Sequence, residues 1–165
     1  MSTIKTGDSI PAMAVMLATP EGPRESTTEA LFKGRKVVLF GLPGAFTPTC
    51  SAKHLPGFLQ HAAEFRAKGV DAIVCMAVND VFVMRAWARE QGVGEAIVML
   101  ADGAAALTRA LGLGLDLSAR GFGLRCHRFA LVAEDGVVTH LAIEAPGSFE
   151  VSRAEMVLQA LGTPA

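Results

Sequence analysis

The chain is predicted to be an α/β protein in which a mixed central sheet is flanked by helices on both faces. Between residues 36 and 100, short apolar segments typical of buried strands alternate with segments typical of helices. Farther along, the turn Glu134-Asp135-Gly136 separates two apolar segments, which is a β-hairpin signal. The chain has 165 residues, of which 51% are hydrophobic, so residues 1–165 are expected to form one domain with a sizeable core.

The N-terminal segments carry weaker signals until the first buried strand. Residues 1–11 are polar and are expected to lie on the surface, and residues 19–26 are rich in turn-forming residues. The predicted elements up to residue 41 are a strand at 13–18, a short helix at 28–32 that is ended by Gly34, and a buried strand at 36–41.

The segment between residues 43 and 50 is expected to turn from that strand into a helix. Thr47 suits the N-cap, Pro48 suits the first helical position, and Cys50 follows within the first turn of a helix that continues over residues 51–68. Unpaired backbone N–H groups and the positive end of the helix dipole stabilise an anion at this place. Since the thiolate is the reactive form of cysteine, Cys50 is a candidate nucleophile.

The second half of the chain continues the alternation and ends in the hairpin and a helix. Asn79 or Asp80 is expected to cap a helix whose apolar face includes Trp87, a predicted core residue. Asp102 and a capping box at 152–155, with Ser152 as the cap, are interpreted as two later helix starts. The predicted elements are strands at 70–78, 97–100, 128–133 and 137–143, helices at 81–91, 104–111 and 152–161, and a Gly-rich loop at 112–123.

Charge and composition argue against several classes of function. The net charge is −1 and no Lys/Arg stripe exists, which disfavours nucleic acid and anionic membranes as partners. No apolar run approaches a membrane span, and the first twenty residues lack a secretory pattern, so a cytoplasmic location is expected. Three cysteines without a CxxC pair, and four scattered histidines, favour neither a disulfide framework nor a metal site, and no cofactor is predicted.

The pattern Pro43-x-x-x-Thr47-x-x-Cys50 resembles the active-site signature of peroxiredoxins. The longer sequence Pro43-Gly-Ala-Phe-Thr-Pro-Thr-Cys-Ser51 is similar to the subfamily that contains plant type II peroxiredoxins and mammalian peroxiredoxin-5. Later segments also resemble this subfamily, namely 78–80, 82–87, 101–103, 113–118, 125–131 and 134–138. These segments occur in the same order as in the subfamily, so the resemblance covers more than a hundred residues.

The resemblance implies a thioredoxin-like fold and a peroxidase that reduces hydrogen peroxide and organic hydroperoxides. Cys50 would attack the peroxide and become a sulfenic acid. The fixed charge of Arg128 would stabilise the thiolate and orient the peroxide, whereas Arg125 matches a second recurrent arginine of lesser weight. The predicted catalytic residues are Cys50, Thr47, Pro43 and Arg128, and the predicted substrate-binding residues are Thr47, Arg128, Gly44 and Phe46.

The source of the second thiol is open in the sequence. Mammalian peroxiredoxin-5 carries a resolving cysteine late in the chain, and the aligned position here is Ser152. Cys75 lies in an apolar strand and is expected to be buried and inert, whereas strand alternation would turn Cys126 to the face of Arg128. We therefore predict a one-Cys cycle, with glutathione and glutaredoxin, or alternatively thioredoxin, as the reductant. The resemblance to the subfamily also implies a homodimer.

Two other classes of function remain as alternatives. A Cys–His hydrolase would use Cys50 with His54, His127 or His140 as its base, although no orienting residue or oxyanion hole is evident. Apart from that role, His54 is expected to be solvated or packed. A binding or chaperone-like module with a thioredoxin fold would keep the architecture without a reactive thiolate.

Overall fold

The structure is a computed structural model that describes residues 2–162 of the chain. Its strands are β1 (Ala14–Thr19), β2 (Gly22–Thr27), β3 (Lys36–Gly41), β4 (Ala72–Ala77), β5 (Val98–Ala101), β6 (Gly114–Asp116), β7 (Leu124–Cys126), β8 (Phe129–Glu134) and β9 (Val137–Ile143). Its α-helices are α1 (Thr28–Phe32), α2 (Leu55–Gln60), α3 (Ala62–Ala67), α4 (Val81–Gln91), α5 (Ala106–Ala110) and α6 (Ala154–Leu161). A π-helical turn spans Cys50–His54 and a 3-10 turn spans Ser118–Arg120.

Seven strands form one mixed sheet in the order β2-β1-β5-β4-β3-β8-β9. The central strands β3, β4 and β5 are parallel, while β1 and β8 pair antiparallel to either side of them. Strands β6 and β7 form a separate antiparallel pair. The predicted mixed sheet with flanking helices is thereby confirmed.

Alternate residues of the central strands face two apolar layers. Val38 and Phe40 of β3 belong to the first layer, which includes buried residues of α2, α3, α4 and α6. Val37 and Leu39 belong to the second layer, where α1 and α5 pack. Because both faces of β3 are covered, this strand is apolar along its length rather than alternating.

Elements with complete local signals lie where the sequence predicts them. Helix α4 begins after Asp80, whose side chain accepts hydrogen bonds from the N–H groups of Phe82 and Val83, and ends at the left-handed Gly92. Trp87 is fully buried in the first layer, as predicted. Strand β9 has the predicted bounds, and the strand predicted at 70–78 is shorter at Ala72–Ala77.

The helix predicted for 51–68 is wrong as a single element. Its first part is the π-helical turn, in which the N–H of Leu55 donates to the carbonyl of Cys50. Pro56 follows directly and has no N–H to donate, so an α-helical ladder cannot run through this place. A second break occurs at His61, where α2 ends and α3 begins.

Two segments that the sequence predicts as turn or loop contain strands in the structure. Residues 19–26 include most of β2, an edge strand that tolerates Pro23 because one of its sides has no partner strand. The Gly-rich segment 112–123 includes β6 and the 3-10 turn, and β6 pairs with β7. Short polar strands such as these lack apolar alternation, so their pairing is visible only in the folded chain.

The two late caps also differ from the prediction. Asp102 lies before the start of α5, yet its carboxylate accepts hydrogen bonds from the N–H groups of Leu107 and Thr108. Ser152 does not cap α6, because the cap position belongs to Arg153 and the Ser152 hydroxyl donates to Glu144 instead. The capping box is therefore wrong.

Candidate active site

Strand pairing brings the start of β8 beside the end of β3. Gly41 pairs with Phe129, and a Cβ at Gly41 would lie 2.2 Å from the Phe129 ring, so only glycine allows this approach. The residue before Phe129 is Arg128, and the loop after Gly41 leads to Cys50. The antiparallel register thus brings together two side chains that lie 78 residues apart in the chain.

Cys50 is fully buried, and its sulfur contacts the guanidinium of Arg128. Nη2 of Arg128 donates to Sγ of Cys50 at 3.2 Å. Its other terminal nitrogen, Nη1, is 2.9 Å from Nδ1 of His54, and the guanidinium carbon lies 5.7 Å from the centre of the Phe149 ring. The guanidinium thus places a fixed positive charge beside the sulfur in a site that is closed to water.

His54 is a site residue that the sequence analysis considered only as the base of a hydrolase, and otherwise as a solvated or packed residue. Its ring is fully buried and lies close to the rings of Phe40, Phe58 and Phe149. Because an arginine can only donate, Nδ1 must accept from Arg128, and the ring proton lies on Nε2, which donates to the carbonyl of Ser152 at 3.2 Å. Its position four residues after Cys50, across one helical turn, indicates that it lies near the cysteine, but no local signal indicates its contact with Arg128.

The protonation state of His54 follows from its surroundings. Burial, and secondly the charge of Arg128, lower the pKa of His54 from 6.5 to about 3. The imidazole is therefore neutral over the range in which most enzymes work. It acts as an acceptor for Arg128 and cannot serve as a base for Cys50 through Nδ1, which contradicts the hydrolase role considered for this residue.

Thr47 stands where the sequence predicts, but its hydroxyl has a different partner. Its carbonyl accepts from the N–H of Ser51 at 2.9 Å, as expected of a residue at the cap position. The hydroxyl donates to the carbonyl of Gly44 at 2.6 Å. Its oxygen lone pairs are left for another donor, such as a peroxide O–H.

Arg125 holds the loop that carries Pro43. Its Nη1 donates to the carbonyls of Pro43 at 3.3 Å and Val78 at 3.4 Å, and its Nε donates to the carbonyl of Phe122 at 3.0 Å. A Cβ at Gly44 would lie 2.7 Å from this Nη1, so a larger residue at this position would displace the guanidinium of Arg125. Arg125 is therefore tied to backbone groups, whereas Arg128 contacts the sulfur.

A cavity of about 360 Å³ opens beside Arg128. Its lining includes Pro43, Thr47, Thr49, Leu115, Leu117, Arg120, Phe122, His127, Arg128 and Glu144. Gly44 and Phe46, predicted to bind substrate, belong to the same loop but do not line this cavity. Phe46 has a φ of 63° and is 51% exposed, so its ring points into solvent.

The other two cysteines lie apart from the guanidinium. Cys75 is buried in the first layer, and burial raises the pKa of its thiol well above the usual range. Cys126 is buried in the second layer, where burial raises its pKa to about 12. The prediction that Cys126 faces the same side as Arg128 is wrong, because Arg128 lies between β7 and β8, where strand alternation does not apply.

Two classes of feature are lacking in the part of the chain that the structure describes. Over residues 2–162, no group of three or more His, Cys, Asp or Glu side chains is arranged to hold a metal ion. Over the same residues, no helix combines the length and the apolar character needed to cross a membrane.

A family model described as Redoxin matches residues 5–158. The chain belongs to the Redoxin family. It is similar to peroxiredoxin-2E-2, a chloroplastic protein of Oryza sativa subsp. japonica, with 52% identity over 98% of this chain and 74% of the relative. It is also 44% identical to peroxiredoxin-2B of Arabidopsis thaliana over 98% of this chain and 100% of the relative.

The solved structures agree with the sequence relatives. The crystal structure of reduced Prx3 in complex with H2O2 from Vibrio vulnificus is 50% identical, with a TM-score of 0.91 over 96% of this chain and 99% of that chain. The thioredoxin-like fold and the peroxiredoxin subfamily implied by the motifs are thereby confirmed. This peroxiredoxin is a thiol-dependent peroxidase, an antioxidant oxidoreductase.

Proposed function

We propose that Cys50 is the nucleophile of this peroxidase, and the contact between Arg128 Nη2 and Cys50 Sγ carries the proposal. The thiolate attacks one oxygen of a hydroperoxide and the O–O bond breaks. The other oxygen leaves as hydroxide or alkoxide and takes up a proton. Cys50 is thereby oxidised to a sulfenic acid while the peroxide is reduced to water or an alcohol.

Three neighbours support this reaction in distinct ways. Arg128 supplies positive charge where negative charge develops on the sulfur and the leaving oxygen. Thr47 accepts a hydrogen bond from the peroxide, since its own proton is donated to Gly44. Pro43 lines the cavity with a ring that excludes water and donates no hydrogen bond.

The experiment is stopped-flow mixing of reduced protein with a small excess of hydrogen peroxide, with intact mass read on the same samples. Wild type should consume peroxide rapidly and gain one oxygen on Cys50. Cys50→Ser should react no faster than a free thiol, whereas Cys75→Ser, the matched control, should keep the rapid phase. A Cys50→Ser variant with the wild-type rate would refute the assignment.

We propose a one-Cys cycle, supported by the burial of Cys75 and Cys126 and by serine at position 152. An external thiol attacks the sulfenic acid, forming a mixed disulfide and releasing water. A second thiol then releases Cys50 and leaves as a disulfide with the first. Glutathione with glutaredoxin, or alternatively thioredoxin, is the proposed donor. Rapid loss of two hydrogens from wild type after peroxide, instead of a gain of one oxygen, would indicate an internal disulfide and contradict this cycle.

The cavity supports hydrogen peroxide and small organic hydroperoxides as substrates. Apolar side chains such as Leu115, Leu117 and Phe122 line much of its wall beside Arg128. The rate constants for hydrogen peroxide, tert-butyl hydroperoxide and cumene hydroperoxide test this directly. Binding of substrate by Gly44 and Phe46 stays a prediction.

We also propose that the protein works as a homodimer through the edge of the active site. Large apolar side chains are exposed there, with Phe46 51%, Phe82 69% and Phe122 43% exposed. Sedimentation of wild type and Phe82→Ser measures this. A wild type that sediments as a monomer at micromolar concentration would refute it.

The cytoplasmic location stays a prediction, since the rice relative is a chloroplastic protein. Cell fractionation would decide it.

A further inference from the structure

Glu144 is a buried carboxylate at the end of β9 that the reaction described above does not use. Only 4% of the residue is exposed. One of its oxygens, Oε2, accepts three hydrogen bonds, from the N–H of Glu150 at 2.8 Å, the N–H of Ser152 at 2.8 Å and the hydroxyl of Ser152 at 2.7 Å. Such charge-assisted bonds offset the cost of burying a carboxylate.

These bonds hold a segment that has little other anchorage. Every residue from 145 to 151 is exposed or partly exposed, and only Glu144 and Ser152 at its ends are buried. Phe149 of the same segment lies 5.1 Å from the His54 ring and 5.7 Å from the Arg128 guanidinium. The carboxylate therefore fixes a segment that packs against two groups of the active site.

A continuous series of contacts leads from this carboxylate to the sulfur. Glu144 holds Ser152, whose carbonyl accepts from Nε2 of His54 at 3.2 Å. Nδ1 of His54 then accepts from Arg128 at 2.9 Å, and Arg128 donates to Cys50 Sγ at 3.2 Å. In addition, the N–H of Glu144 donates to the carbonyl of Arg128 at 2.9 Å.

We propose that Glu144 and Ser152 form a latch that positions the Arg128 guanidinium against Cys50, which makes Glu144 a positioning residue for the peroxidase. The inference rests on the proposed role of Cys50. The carbonyl of Ser152 keeps the ring proton of His54 on Nε2, so Nδ1 always presents a lone pair to Arg128. Without the latch the ring is free to rotate, and Arg128 loses its only side-chain hydrogen-bond acceptor besides the sulfur among residues 2–162.

The experiment compares Glu144→Ala and Glu144→Gln with wild type. Thiolate absorbance near 240 nm is titrated, and the second-order rate with hydrogen peroxide is measured. Glu144→Ala should move the titration midpoint to higher pH and slow the reaction roughly tenfold or more. Glu144→Gln, which keeps one acceptor oxygen, should fall between. Cys75 and Cys126 stay silent near neutral pH, because burial raises the pKa of both thiols.

Glu90→Gln on the exposed surface of α4 is the matched control and should behave as wild type. Long-range 15N spectra report the tautomer of His54, which a purely structural role of Glu144 in the 145–151 segment would leave unchanged. His54 should show a single Nε2–H tautomer in wild type and lose it in Glu144→Ala. A folded Glu144→Ala with the wild-type rate, midpoint and tautomer would overturn the proposal.

A second pair of variants keeps the test decisive if Glu144→Ala does not fold. Ser152→Ala removes one of the three bonds and should slow the reaction less, while Ser152→Thr restores the hydroxyl and should recover the rate. Equal wild-type rates in both variants would overturn the latch. Failure of the Cys50 assignment is recognised separately, because Cys50→Ser would then react as fast as wild type.

Discussion

Cys50 and Cys126 are both fully buried, yet the charges around their sulfur atoms differ. Cys50 lies in the first layer with the Arg128 guanidinium at 3.2 Å from its sulfur. Cys126 lies in the second layer, where burial, opposed by Thr108 and reinforced by the charge of Asp102, raises its pKa to about 12. Burial without a neighbouring cation disfavours the charged form of a thiol, whereas the guanidinium of Arg128 places positive charge beside the sulfur of Cys50.

The charged groups near the two cysteines, Arg128 and Asp102, also differ in their own hydrogen-bond partners. Arg128 is held by His54, which is held in turn by the carbonyl of Ser152. The Asp102 carboxylate instead accepts from the N–H groups of Leu107 and Thr108 and serves to start α5. One hydrogen-bonded network therefore positions a guanidinium beside Cys50, whereas the other begins a helix near Cys126.

The largest expected effect comes from removing the cation, which would make the Cys50 site resemble that of Cys126. Arg128→Met should slow the reaction with hydrogen peroxide by roughly a hundredfold to a thousandfold, because charge stabilisation is lost in a buried site. Stopped-flow kinetics measure the rate. Arg128→Lys keeps the charge but not the two-pronged geometry and should lose less. Equal losses in both variants would mean that geometry matters more than charge.

The free energy of unfolding should depend on pH because His54 is neutral in the folded chain. Its pKa is about 3 in the folded chain and 6.5 ordinarily, so between these values the unfolded chain binds a proton that the folded chain does not. Stability should therefore fall as pH falls through this window, by about 1.4 kcal/mol per pH unit for one proton. In His54→Gln the pH dependence of the free energy of unfolding should lose this contribution of about 1.4 kcal/mol per pH unit. Denaturant titrations between pH 4 and 7 measure it, and an unchanged slope would exclude His54 as its source.

A smaller effect is expected from crowding the loop beside the site. Gly44→Ala would place a Cβ 2.7 Å from Nη1 of Arg125, forcing that side chain or the loop to move. Overpacking of this kind costs about 1–3 kcal/mol. Thermal unfolding should show the loss, and the peroxide rate should fall because Pro43 moves with the loop. Gly57→Ala is the control, because its Cβ would meet only the Cβ of Ala154 at an ordinary 3.8 Å.

The smallest effect is expected at Cys126. Cys126→Ala removes a thiol that takes no part in the proposed cycle, so peroxidase activity should be unchanged, and only stability should fall by about 1 kcal/mol through the small cavity. Activity with glutathione and glutaredoxin, and with thioredoxin, measures this. Loss of turnover in a folded Cys126→Ala would make Cys126 a resolving thiol and end the contrast between the two cysteines.

Much of the fold was predictable because its signals are local. Asp80 and Gly92 bound α4 through bonds to residues within one helical turn, and the buried strand Lys36–Gly41 is apolar because both of its faces are covered. Thr47, Pro48 and Cys50 likewise predict a helix start from neighbouring residues alone. The break of the following helix was missed, although Pro56 is its local cause.

The relation between the site residues depends on contacts that leave no periodic mark in the chain. His54 contacts Arg128, which lies 74 residues away in the chain, and Ser152, which lies 98 residues away. The sequence around His54 therefore indicates neither partner. Strand alternation placed Cys126 on the wrong face because Arg128 lies outside the strands. Local hydrogen bonds and periodicity thus determine the elements and place Cys50 at a helix start, whereas only the register of β8 on β3 brings Arg128 to its sulfur.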